Sequence, residues 1–125
     1  MNIKDFKVED TVYIRDYGYR TNEDHATMEE ATVIKVTNKY VTVKTSRFGG
    51  ELKFHNEQNR IYYLVEKVNF GSGNKLFHTM QDYNDWVESE NLYKEIRSYF
   101  GTFYTTLNVD QLHRIKDIIY EGLEG

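Results

Sequence analysis

The chain contains neither cysteine nor proline. Without cysteine there is no disulfide framework and no thiolate metal site, and the composition suits a reducing compartment. The lack of proline argues against a loop-rich or linker-rich chain. No apolar run is long enough to cross a membrane as a helix, and Met1-Asn2-Ile3-Lys4-Asp5 has no signal-peptide core. The expected place of action is therefore the cytoplasm. Basic charge is scarce towards the end. Residues 1–79 hold 12 Lys/Arg against 11 Asp/Glu, net +1, and residues 80–125 hold 4 against 9, net −5, which gives the total of −4. An acidic C-terminal part disfavours generic nucleic-acid binding through that part, since such binders carry a basic excess on one element.

Aromatic residues are plentiful and dominated by 11 Tyr. Tyr combines rigid contact area with a polar tip, so it suits interfaces as well as strands. Most of the first 78 residues read as short strands. Thr11–Arg15, Ala31–Val36 and Tyr40–Thr45 alternate or are β-branched, and Glu51–His55, Ile61–Val65 and Lys75–His78 follow at roughly ten-residue spacing. Asp16–Asp24, Phe48-Gly49-Gly50 and Gly71-Ser72-Gly73-Asn74 read as loops and turns, with Gly18 available for positive φ.

The period then changes. Thr79 with Asp82 reads as an N-cap, and Met80, Tyr83, Trp86, Val87, Tyr93, Ile96 and Phe100 recur at helical spacing up to a C′ residue at Gly101. A second helix is expected from Asn108 to Leu123. Asn108 and Gln111 form a capping box, Leu107 and Leu112 occupy staple positions, and Gly122 marks the end. The expected fold class is α+β: a small antiparallel SH3-like β-barrel or bent sheet of five or six strands over 1–78, then a two-helix hairpin over 79–125, together one compact domain. The hairpin carries more apolar surface than so small a barrel covers, so a homo-oligomer is expected.

Catalytic constellations are absent. The four His are scattered without metal-ligand spacing, Gly71–Lys75 lacks the spacing of a phosphate loop, and no Ser sits in a nucleophile elbow. No enzyme activity, metal or cofactor is expected. Binding chemistry remains: aromatic rings stack on bases and Arg clamps phosphates. The candidate ligand-binding residues are Arg20, Phe77, Asn91, Arg97 and Arg114, with Tyr19, His78, Tyr83 and Tyr99 near them. A plainer reading makes Phe77 and Tyr83 core and the two helical Arg solvated charges.

The segment Glu9–Ile14, a Gly-containing loop and Ala31–Val36 resemble the start of an SH3-like or KOW-type barrel. The whole chain resembles small β-barrel proteins of Firmicutes and their phages, which run into a Tyr/Trp-rich helix, an Ile-Arg-x-x-Phe segment (here Ile96–Phe100) and a final helix of the type Leu-x-Val-x-Gln-Leu-x-x-Ile (here Leu107–Ile115). In size and element order it is similar to the Thoeris anti-defence sponges, oligomers that trap cyclic ADP-ribose-type signals without cleaving them. The resemblance implies a non-catalytic phage counter-defence protein that sequesters a cyclic nucleotide in the host cytoplasm. Its partner would then be a nucleotide-type small molecule. Two other readings stand beside it. One is an inhibitor that binds a host defence protein or nuclease through the acidic helical face. The other is a KOW-like RNA or ribonucleoprotein module using Lys35, Lys44, Arg47 and Lys53. None of these readings involves a membrane.

Overall fold

The computed structural model describes residues 1–15, 28–45, 50–57, 59–69, 73–103 and 106–124. The expected loop at 16–24 and most of the turns at 48–50 and 71–74 lie outside them, as do Tyr19, Arg20 and Arg47. Two compact units divide the chain, Met1–Val87 and Glu88–Gly125.

The first unit is a closed antiparallel barrel of six strands in sequence order. They are β1 (Thr11–Arg15), β2 (Met28–Val36), β3 (Val41–Thr45), β4 (Gly50–His55), β5 (Leu64–Glu66) and β6 (Lys75–Phe77). Alternation decides which side chains point inward. Val12 and Ile14, Val33, Val41 and Val43, Phe54, Leu64 and Leu76 fill the interior and are fully buried. Closure of the barrel leaves no free sheet edge. β1 closes the ring through Tyr13↔Phe77, Ile14↔Leu76 and Arg15↔Lys75.

A 3-10 turn at Ile3–Asp5, capped by the Asn2 side chain, sends Ile3 and Phe6 into the core. The following segment is held to β2 by two backbone bonds, Glu9 N–H to the Val33 carbonyl (2.8 Å) and Val33 N–H to the Asp10 carbonyl (3.0 Å). His78 secures the same segment. Its ring lies 4.4 Å from that of Phe6, and its Nε2 is 3.1 Å from Asp10 Oδ2.

β2 begins at Met28, three residues before the expected Ala31, because Met28-Glu29-Glu30 pair with Tyr13–Arg15. It also carries a bulge between Val33 and Lys35. β5 begins at Leu64 rather than Ile61. Tyr63 lies outside the strand and is half-buried against the ring of Phe77, 5.7 Å away, and Ile61 is exposed.

α1 (Met80–Phe103) and α2 (Val109–Glu124) follow. Thr79 and Asp82 cap α1 reciprocally: Asp82 N–H donates to Thr79 Oγ1, and Thr79 N–H donates to Asp82 Oδ2, both at 3.1 Å. Asn108 and Gln111 do the same for α2 at 2.8 and 2.9 Å, as the capping-box spacing predicts. Gly101 does not end α1, which continues to Phe103. A lone Gly in a helix costs only about 1 kcal/mol relative to Ala, too little to stop a helix that nothing else interrupts.

The boundary between the units falls within α1 because its first turns pack on the barrel wall. Phe77 points outward from β6, and Tyr83 and Trp86 cover it with ring separations of 5.3 and 5.6 Å. Burying a Phe side chain of this kind contributes roughly 1.5–3 kcal/mol.

Candidate functional site

Outward-facing side chains on the barrel wall make the most organised polar feature of the described residues. Val41 and Val43 point inward, so Thr42 lies on the outer side of the sheet, where it is only 4% exposed, and the register sets it directly between the exposed Lys35 on β2 and Lys53 on β4. Lys67 continues the same row, since its backbone N–H donates to the Lys53 carbonyl at 2.8 Å. The bulge in β2 shifts Lys35 into this row. Three ammonium groups thus come from three stretches of chain, spaced by about 4.8 Å per strand step.

Tyr40 completes the row. It is set by the turn before β3, where its N–H donates to Thr37 Oγ1 (3.0 Å) and Thr37 N–H donates to the Tyr40 carbonyl (2.9 Å). Lys67 Nζ donates to the Tyr40 hydroxyl at 2.9 Å and lies 4.8 Å from the ring centroid, and Lys53 Nζ lies 5.8 Å from it. The hydrogen bond from Lys67 to Tyr40 is the main cause that holds the ammonium above its ordinary pKa, with a smaller contribution from Glu57. Lys67 is therefore cationic throughout the physiological range. Carboxylates stand at the margin: Glu57 near Lys67, and Glu51 opposite Lys44.

A second cation–aromatic group lies further round the wall. Arg15 pairs with Lys75 across β1 and β6, and Lys75 with Val65 across β6 and β5. Lys67 stands two residues beyond Val65 on the same face. The Arg15 guanidinium lies 4.8 Å from the centroid of Trp86, and Lys75 Nζ lies 5.7 Å from Trp86 and 5.4 Å from Tyr63. Lys35, Lys53 and Lys67 beside Tyr40, and Arg15 and Lys75 beside Tyr63 and Trp86, are therefore two cation–aromatic groups on the outside of the barrel. Such a surface can hold phosphates by charge and bases by stacking.

Of the five residues singled out from sequence, four are described: Phe77 in the first unit, and Asn91, Arg97 and Arg114 in the second. Arg20 lies outside the described residues. Phe77 is 0% exposed beneath Tyr63, Tyr83 and Trp86, so its ring offers no surface to a ligand and belongs to the packing, in keeping with the plainer reading. Asn91 and Arg97 are exposed on α1 on different faces, and Arg114 is exposed on α2, 3.4 Å from Asp110. The second unit contains a groove of about 440 Å³ lined by Ile96, Tyr99, Phe100, Thr106, Leu107 and Ile115. None of the five lines it, and it holds no charged side chain. Among the described residues no cluster of His, Asp or Glu is placed to hold a metal, and no helix is long and apolar enough to cross a membrane.

The sequence alone does not single out Tyr40 and Lys67. The outward alternation of Tyr40, Thr42 and Lys44 is visible in it, but Lys67 joins them only through backbone pairing beyond β5, and the bulge in β2 sets which residues face them.

The sequence profile of one family, the phage ProQ C-terminal-like domain, matches residues 1–122. The chain belongs to this family. Membership covers both units and places this phage ProQ C-terminal-like domain among phage-associated domains, as the resemblance in sequence implies. No curated protein and no solved structure matches it significantly.

Proposed function

We propose that this phage domain is a non-catalytic binding module whose barrel wall takes single-stranded nucleic acid. The observation that carries the reading is the half-buried Tyr40 beside the exposed Lys53 and Lys67, in line with Lys35, on the outside of the barrel. The ammonium groups supply phosphate contacts, which give affinity without sequence choice. Tyr40 supplies a stacking platform of the kind that single-strand binders use, and Arg15, Lys75 and Trp86 supply a second such group. This is the KOW-like alternative, with Tyr40 and Lys67 added to Lys35 and Lys53.

The counter-defence reading, sequestration of a cyclic nucleotide in the host cytoplasm, draws on the same chemistry of phosphate and base. An extended ligand is favoured because small ligands are held in concave sites that bury most of their surface. Among the described residues the cations lie on the outside of the barrel, and the groove in the helical unit is apolar.

Fluorescence anisotropy with labelled single-stranded RNA and DNA, a duplex of equal length and a cyclic nucleotide tests the reading. Single strands are expected to bind best. The double variant Lys53→Glu/Lys67→Glu is expected to bind at least about tenfold more weakly, since each ammonium exchanged for a carboxylate turns a phosphate attraction into a repulsion. Both residues are exposed, so the fold should be unchanged by circular dichroism. Single-strand affinity that ignores the double substitution contradicts the site. Cyclic-nucleotide binding without oligonucleotide binding restores the sequestration reading.

A further inference from the structure

The second unit exposes an apolar surface that its own helices leave open. Leu92, Tyr93, Ile96 and Tyr99 on α1 and Leu112, Ile118, Ile119 and Tyr120 on α2 are all solvent-exposed, with Ile118 at 66% and Ile119 at 56%. Ten large apolar side chains among the described residues of this unit are in that state. Five of them lie on each helix. Large apolar side chains exposed in this number on one helical unit mark an interaction surface.

The pattern on α2 says what covers it. At 3.6 residues per turn its apolar residues span an arc of about 200°, wider than one neighbouring helix can cover. Ile115 and Ile118, three residues apart, form the centre of an apolar stripe with Leu112 and Ile119 on one margin, and Gln111 and Gly122 end it. The opposite margin of that stripe carries Arg114 and Glu121, seven residues apart and therefore at the same heptad position. Ile118 lies almost midway between them. In an antiparallel pair of identical helices, equivalent margins meet. A two-fold axis beside Ile118 sets Arg114 of one copy against Glu121 of the other, and the reverse. Both charges are satisfied by a second copy of the same helix.

We propose that two copies of this chain associate through α2, antiparallel about a two-fold axis at Ile118. Ile115, Ile118, Leu112 and Ile119 form the seam, and reciprocal Arg114–Glu121 pairs fix its direction. The interface is isologous, so it closes at a dimer. It reassigns Arg114 from ligand binding to assembly. Within one copy, Arg114 makes an exposed pair with Asp110 at 3.4 Å, which is weak and easily exchanged. The apolar groove beside Ile115 offers room for side chains of the partner helix.

Sedimentation velocity on the nuclease-treated chain of residues 1–125 tests this. The wild type is expected to be a dimer and Ile118→Glu a monomer with an unchanged circular dichroism spectrum, Ile118 being exposed in the single chain. Glu121→Arg sets like charges against each other twice and should weaken the dimer about tenfold. Combining it with Arg114→Glu should restore the dimer. A monomeric wild type, an association that survives Ile118→Glu, or a double exchange no stronger than either single one overturns the proposal.

Discussion

Asp10 and His78 stand 68 positions apart and together fasten the N-terminal segment to the barrel. The Lys7 backbone N–H, donating to Asp10 Oδ2 at 2.9 Å, is the main cause that holds the Asp10 carboxyl below its ordinary value of 3.8, and the His78 hydrogen bond adds to it. The sign follows from linkage. A carboxylate whose pKa is depressed by folding contributes its stabilisation above the unfolded value. It loses that contribution as pH falls through the folded one. The expected outcome is an Asp10 carboxyl that titrates below 3.8 by NMR in the folded protein. The stability of the chain should show an acid-dependent component below that pH, and Asp10→Asn should remove it. Titration at the ordinary value would mean that the Lys7 and His78 bonds do not persist in solution. Neither partner is legible in the sequence. The pairing depends on the chain returning through six strands to bring residue 78 beside residue 10.

At the scale of elements, two glycines make opposite demands. A Cβ at Gly73 would lie 2.7 Å from the Glu66 Cβ and 3.1 Å from the Glu66 carbonyl oxygen, whereas one at Gly101 would meet nothing within 4 Å. Gly73→Ala should therefore destabilise by about 1–3 kcal/mol through overpacking. Gly101→Ala should stabilise by up to about 1 kcal/mol, because it replaces a helix-interior glycine. Urea unfolding of the two variants checks both signs. The elements that sequence reveals best are those with strong local signals. β1 and β3 follow from strict alternation, and α2 follows from its capping box. The starts of β2 and β5 differ from the sequence expectation for tertiary reasons. The polar Met28-Glu29-Glu30 gains strand structure from Tyr13–Arg15, and Tyr63 gains its place by packing on Phe77. The cationic row is legible only in part. Lys35 and Lys53 stand out as charged positions on strands, but the bulge at Val33–Lys35 decides which residues they face.

Over the whole molecule, charge alone points away from a polyanionic ligand. The first unit holds 12 Lys/Arg against 13 Asp/Glu, and the second 4 against 7. Screening confines each charge to about 8–10 Å at physiological ionic strength, so local arrangement outweighs the total. On the barrel wall that arrangement is cationic and aromatic, and on the helices it is apolar with complementary margins. The two surfaces belong to different units and make separate predictions. Whether the barrel wall holds a nucleic-acid backbone is decided by the salt dependence of single-stranded RNA binding. Three or four phosphate contacts should give a slope of log K against log salt between about −2 and −3, and Lys53→Glu/Lys67→Glu should make it shallower by at least about one. A slope near zero, or one that the double substitution leaves unchanged, would contradict the assignment of this face to the nucleic-acid backbone.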